Sequence, residues 1–363
     1  MKALKNVWYV AAWADEITAT PRKRLILEQP IVFYRTADGT SVALANTCPH
    51  RFAPLDYGKV VGDTIQCTYH GLRFDRTGAC VFNPDGAGIV PKAARVRSYP
   101  LTERYGAVWI WMGDPARADP SVIPDYPFME PDPNWRLVSG YLRVGANYRY
   151  MIDNLVDVAH VPVLHGDMFN CPEMAQGKTV VEKEGAAIWA KRMAVVAAPP
   201  TLFDALWRQT RGDYVGPMDN WADSRWDAPS LISQNTGVAL TGKPRETGIQ
   251  TKNCHWVTPE TEASSHYFWT IARNFLLDES LDDELRAQSA RLFVEQDQWL
   301  LEALQATVGD REFWSMKPML LPGDVGTVEV RRAVDRMLAA EQAAAEGIAA
   351  DGATAKTPVA ATV

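Results

Sequence analysis

The run Asp153-Asn154-Leu155-Val156-Asp157-Val158-Ala159-His160-Val161-Pro162-Val163-Leu164-His165 sets two carboxylates, an amide and two imidazoles in an otherwise apolar stretch. These are metal-ligand residue types. Asn154, Asp157 and His160 recur every third residue, so on a helix they share a face from which Leu155 and Val156 turn away. His160 and His165 are five apart, a spacing that an unbroken helix would splay. Pro162 stands between them and removes a backbone donor, so the chain bends there and brings both rings to one point. Two His suit a metal, and one carboxylate completes such a site when the metal is non-heme Fe(II), with positions left open for dioxygen and substrate. A buried amphipathic helix with incidental histidines is the competing reading, because two His at an irregular spacing are a weak signal by themselves.

A second group lies earlier. Cys48-Pro49-His50 is separated by sixteen residues from Cys67-Thr68-Tyr69-His70, and Pro or Gly flanks each pair. Two tight loops can each offer a thiolate and an imidazole. Zinc suits such a set, and so does a Rieske-type cluster with thiolates on one iron and imidazoles on the other. Cys80 matches no ligand position and reads as a small buried hydrophobe. Late in the chain, Ser280 to about Thr307 carries the longest helical pattern, opened by Ser280 and Asp283 as a capping box. Leu285, Ala290, Leu292, Phe293, Trp299, Leu300 and Leu301 supply its apolar stripe. Asp297 sits at helical spacing from three of these, so it faces inward, and a buried carboxylate needs a partner such as a metal. His255 and His266 have no paired ligand at a sensible spacing and read as satisfied core or surface residues.

The elements that must position these groups fall into two halves. From Val7 to about Met112 short β-type runs alternate with turns: Ile26-Leu27, Ile31 to Tyr34, Val42 to Leu44 and Ala107 to Trp111, with Ala37-Asp38-Gly39 as a hairpin turn. Six prolines between Gly113 and Asn134 predict an extended connector. Trp135 to Val144, 178 to 200, Asn253 to Val257 and His266 to Ala272 read as further strands. Trp207, Trp221 and Trp226 fall in a region read as loop with short helix, packing a core or lid. Residues 332 to 349 predict an Ala-rich helix, and the Ala- and Thr-rich end predicts disorder.

A net charge of −7 and 47% hydrophobic against 22% charged residues describe a globular chain and argue against a nucleic-acid partner. No run reaches a membrane-spanning length. Met1 to Ala14 mimics a secretory leader, but its Trp, Tyr and Val content and the Asp15-Glu16 that ends it fit an opening strand better. Five cysteines form no disulfide framework, which favours reduced thiols and a cytoplasmic location. Gly237 to Pro244 nearly matches a phosphate-binding loop. Pro244 stands where a hydroxyl must ligate magnesium, so nucleotide binding is rejected.

Cys48-Pro49-His50-Arg51 with Cys67-Thr68-Tyr69-His70-Gly71 resembles the Rieske [2Fe-2S] signature. Asn154-x-x-Asp157-x-x-His160-x-x-x-x-His165 is similar to the mononuclear iron motif of Rieske non-heme iron oxygenases, and Asp297 matches the late carboxylate of their facial triad. Within that family the likeness is to terminal oxygenases of the vanillate O-demethylase and dicamba monooxygenase kind. The resemblance implies an α+β chain. Residues 1–118 would form an all-β Rieske domain, 119–134 a connector, 135–330 a helix-grip-like catalytic domain of antiparallel sheet and helices, 331–350 a C-terminal helix, and 351–363 a tail. It further implies a [2Fe-2S] cluster on Cys48, His50, Cys67 and His70, and Fe(II) on His160, His165 and Asp297. A homotrimer is expected, with Asp157 bridging His70 of one chain to His160 of the next. Asn154 is expected near the iron, and Gln234 and Gln250 as polar substrate contacts.

The activity so implied takes electrons from a separate reductase, with or without a ferredoxin, because no flavin or nicotinamide motif is present. It uses dioxygen to hydroxylate a C–H bond of a small aromatic molecule. On the methoxy group of an aromatic acid this yields a hemiacetal that collapses to a phenol and formaldehyde. N-dealkylation and methyl or ring hydroxylation are the alternatives. An electron carrier or redox sensor, with a cluster and no further iron, is the competing class.

Overall fold

The computed structural model describes residues 1–214 and 216–347, so the predicted tail at 351–363 and the end of the predicted last helix lie outside the described residues. Ten strands make the first half. They are β1 (Trp8–Trp13), β2 (Arg22–Ile26), β3 (Gln29–Arg35), β4 (Ser41–Ala45), β5 (Lys59–Val61), β6 (Thr64–Gln66), β7 (Arg73–Phe74), β8 (Cys80–Phe82), β9 (Leu101–Arg104) and β10 (Ala107–Trp111). They pair as three antiparallel sheets, β1-β10-β9, β2-β3-β4 and β5-β6-β7-β8. The hairpin turn falls between β3 and β4, where Gly39 takes the left-handed φ of +87°.

The second half is one antiparallel sheet in the order β11-β17-β16-β15-β14-β13-β12. Its strands are β11 (Arg136–Val144), β12 (Val180–Glu184), β13 (Ala187–Ala197), β14 (Met218–Asp227), β15 (Leu231–Leu240), β16 (Ile249–Thr261) and β17 (Ser264–Arg273). Helices accompany it: α1 (Tyr148–Val156), α2 (Val161–Leu164), α3 (Gly166–Phe169), α4 (Pro172–Gln176), α5 (Thr201–Arg211), α6 (Asp282–Leu292), α7 (Trp299–Val308) and α8 (Val325–Ala345). The α+β expectation holds. Trp221 and Trp226 lie on β14 and not in a loop, because alternate residues of that strand are buried on both faces of the sheet.

The two halves share one core. Tyr9, Ile26 and Ile110 pack in the same cluster as Ile152, Trp226 and Tyr267. A second cluster joins Val10 and Trp109 to Trp256 and Phe268. Burying each such side chain contributes about 1.5–3 kcal/mol. Leu27 N–H donates to Pro259 O at 3.0 Å and Glu28 N–H to Glu260 O at 2.9 Å, so the backbones meet as well. The proline-rich stretch is correspondingly no free connector. It folds into short 3-10 turns at Pro115–Arg117, Pro120–Val122 and Pro127–Met129, and it buries Ile123 and Tyr126 against the second cluster.

Two helical expectations need correction. The run from 153 to 165 is not one bent helix: α1 ends at Val156 and α2 begins at Val161. Asp157 causes the break. Its carboxylate accepts the Ala159 N–H at 2.6 Å, a local bond that competes with helix continuation. Pro162 occupies the first turn of α2, where a missing donor costs nothing. Ser280 does not cap the late helix: it lies in a 3-10 turn, Glu279–Leu281, that leads into α6 and is capped by Asp278, whose side chain accepts from Ser280 N at 2.9 Å. Between α6 and α7 the chain winds as a π-helix over Phe293–Gln298. That wider turn changes the phase of the helix, so Trp299 and Leu300, placed in the apolar stripe from sequence, are exposed, while Asp297 is buried.

Candidate metal centres

Cys48 and Cys67 sit at matching points of two similar loops. Cys48 O accepts from Phe52 N at 2.9 Å and Cys67 O from Gly71 N at 3.0 Å, each closing a turn five residues long. The residues that complete these turns, Phe52 at φ +59° and Gly71 at φ +75°, are both left-handed. Both sulfurs are buried, whereas His50 and His70 are exposed with ring centroids 4.4 Å apart. Burial pushes the Cys48 thiol up to about 11, and the nearby Cys67 adds to this against the backbone N–H groups of His50 and Arg51. Two buried sulfurs under two exposed imidazoles suit a paired-iron cluster.

A single zinc suits them less well. Tetrahedral zinc needs ligand atoms that converge on one point at about 2.0–2.3 Å. Among the described residues, the set of three metal-binding side chains with ligand atoms within 4.8 Å of one another is His160, His165 and Asp297. Cys48, His50, Cys67 and His70 are more widely spread, as two irons demand. All five cysteines are free and buried.

In the second centre α1 carries Asn154, the break carries Asp157 and His160, His165 directly follows α2, and the π-helical segment carries Asp297. His165 Nε2 lies 3.4 Å and His160 Nε2 3.8 Å from Asp297 Oδ1. Their other nitrogens face away. His165 Nδ1 meets Gln296 Oε1 at 2.5 Å, and His160 Nδ1 lies 3.5 Å from Asp157 Oδ2. Outer partners of this kind fix the ring orientation of metal-bound imidazoles. Burial opposes a charge on His165, yet Asp297 and Gln296 outweigh it and raise the pKa. A donor set that draws in a proton is one that a cation fits. Sequence reasoning missed Gln296, whose only signal is its place next to Asp297.

These donors form the floor of a cavity of ≈ 230 Å³ with aromatic walls from Phe169, Phe203, Tyr267 and Phe293. Gln234 lines it. Gln250 does not: it is buried, with its amide 3.4 Å from Arg245 O, because at that register β16 turns its side chain away from the cavity. His255, read from sequence as a satisfied core residue, also reaches the cavity lining. Burial pushes it down to about 4, and both of its nitrogens are hydrogen-bonded, to Tyr267 and Gln234. His266 is bonded to Tyr141 and the Leu25 carbonyl and stays outside the cavity. No helix among the described residues is long and apolar enough to cross a membrane.

Comparison with known proteins agrees with this arrangement. The Rieske [2Fe-2S] domain matches residues 7–100 and the vanillate O-demethylase oxygenase C-terminal domain residues 144–340. The oxygenase component of chloroacetanilide N-alkylformylase from Rhizorhabdus wittichii is 40% identical over 93% of this chain and 96% of its own. Dicamba O-demethylase, oxygenase component, from Stenotrophomonas maltophilia is 38% identical over 93% of this chain and 98% of its own. The crystal structure of dicamba monooxygenase with non-heme iron and dicamba aligns with a TM-score of 0.82 at 37% identity, covering 95% of this chain and 100% of that one. By two domain matches and by relatives that span nearly its whole length, the chain belongs to the Rieske non-heme iron oxygenases, as an oxygenase component of the vanillate O-demethylase type.

Proposed function

We propose that this chain removes an alkyl group oxidatively from a small aromatic molecule, with O-demethylation of a methoxylated aromatic as the first reading and N-dealkylation as the second. The observation that carries it is the meeting of His160, His165 and Asp297 at the floor of an aromatic cavity. O-demethylation and N-alkyl removal are both named among the relatives. Cys48, His50, Cys67 and His70 hold the cluster in this reading, and His160, His165 and Asp297 hold the iron. Iron bound there supplies the reduction of dioxygen to an oxidant. The protein's own part is positional. Asn154 and Gln296 fix the donors, and the walls exclude water and hold the alkyl group over the floor.

Electrons come from a separate reductase, with a ferredoxin between them as an option the system can use. The exposed imidazoles support a homotrimer in which the cluster of one chain docks on the next. Among the described residues neither His50 nor His70 has a side-chain hydrogen bond within the chain. On the opposite side of the centre, Asp157 and His160 also border a groove with Val163, Leu300, Met319 and Leu320, and Val163 and Met319 are 85% and 84% exposed. Asp157 then stands between the two histidine rings. Formaldehyde release from methoxylated aromatics, with reductase and NADH, tests the reading. Asp297→Ala should abolish it and remove the mononuclear iron while the cluster's visible spectrum stays. Full iron and turnover in that variant would overturn the ligand set.

A further inference from the structure

The cavity has a chemical bias that the metal donors do not explain. Among the described residues no lysine or arginine lines it. Arginines on neighbouring elements are engaged elsewhere. Arg245 is paired with Asp223 at 2.6 Å with its guanidinium over Trp221, and Arg192 donates to the Met174 carbonyl and to Thr179. His255 is the remaining basic group, and its hydrogen bonds fix its form. Gln234 Nε2 donates to Leu155 O at 2.7 Å, which leaves Gln234 Oε1 as an acceptor. His255 Nε2, 3.0 Å away, therefore carries the ring proton. Nδ1 is then a lone pair and receives the Tyr267 hydroxyl proton across 2.7 Å. The imidazole is held neutral from both sides.

What the lining presents instead is acceptors. Asn220 is 1% exposed; its Nδ2 donates to Ala198 O at 3.1 Å and its Oδ1 is buried without a partner. Asn253 Oδ1 is likewise buried and unpartnered. Strand register places both on the cavity side. Asn253 pairs with Gln234 and Gln234 with Ser224, and the side chains of Gln234 and Ser224 both reach Leu155 O on α1. Asn220, four residues before Ser224, shares that face. A buried carbonyl oxygen without a donor is costly, and a bound molecule can supply the donor.

We propose that the cavity takes an uncharged aromatic substrate bearing an N–H or O–H group, an amide or phenol and not a carboxylate, and that Asn220 accepts that group; Asn253, two strands away and four residues along, is too distant to share it. This rests on the oxygenase reading and narrows its substrate by charge. Equilibrium binding to the iron-loaded holoprotein under nitrogen separates the two factors with three probes: meta-methoxybenzamide, methyl meta-methoxybenzoate and meta-methoxybenzoate. The amide binds most tightly, the ester about tenfold more weakly for want of a donor, and the carboxylate more weakly still. In Asn220→Leu the amide's advantage over the ester falls to about twofold or less. Because this is a ratio within one preparation, partial misfolding does not alter it. Carboxylate binding as tight as that of the amide, no amide binding, or a ratio that Asn220→Leu does not move overturns the proposal. Oxygen uptake with reductase and NADH is read in parallel. No uptake with any probe would sink the oxygenase reading and, with it, the proposal; faster turnover of the carboxylate would leave that reading standing and sink the charge assignment.

Discussion

The side-chain amide of Asn154 donates to Asp297 Oδ1 across 3.0 Å and so ties α1 to the π-helical segment at the carboxylate that both imidazoles face. Asn154→Ala releases that carboxylate, and Gln296→Leu releases the outer nitrogen of His165. Each is expected to weaken mononuclear iron binding by about 10–100-fold. Iron analysis after dialysis, read beside the cluster's visible absorption, measures the effect. The absorption should not change.

Asp157→Asn keeps the side chain's size and its bond to the Ala159 N–H and removes the negative charge beside His160. Both metals should stay, while turnover falls by about 10–100-fold. Stopped-flow reoxidation of the reduced cluster decides where the loss lies. A wild-type rate would mean that electrons do not pass by this carboxylate.

Arg331 on α8 is 4% exposed, grips Asp153 of α1 through Nε at 2.8 and 2.9 Å, and stacks on Phe313 at 3.8 Å. Arg331→Leu leaves the half-buried Asp153 carboxylate without its partner. A loss of about 1–3 kcal/mol in unfolding free energy is expected, and the double variant with Asp153→Leu should recover most of it. Urea titration of the single and double variants checks both statements.

Burial, aided by the Arg24 cation, pushes His266 from 6.5 down to about 4. The folded state thus binds this proton less readily than the unfolded chain. Its contribution is complete above pH 6.5 and is lost as pH falls toward 4, where protonation of the unfolded chain costs the fold about 3 kcal/mol. Thermal midpoints between pH 7 and 4, roughly the range set by these values, should fall less steeply in His266→Gln.

The donors were legible because their residue types are rare and their spacing regular. Cys48, His50, Cys67 and His70 stand in paired loops, and His160 and His165 flank a proline. The strands of both halves were legible for a related reason, since alternating burial leaves a period of two in the sequence. What the sequence hid was backbone competition and cross-strand register. Asp157 ends α1 through a bond to its own neighbour's N–H, and nothing in the residue type distinguishes that from helix continuation. The connector buries Ile123 and Tyr126 because of a partner surface far away in the chain. Gln234 and Gln250 look alike as neutral amides on strands, and only the pairing of β15 with β16 sets one over the cavity and the other away from it.

The π-helical turn at Phe293–Gln298 implies a trade that a single excision would expose. Removing one residue there would let α6 and α7 rewind as one regular coil and swing every later side chain by roughly 100° about the axis. Leu301, now 4% exposed, would be carried out of the core and Glu302 into its place. The same rotation would leave the two imidazoles without their acid, so the rewound chain would gain regular backbone pairing but lose a core contact and its iron.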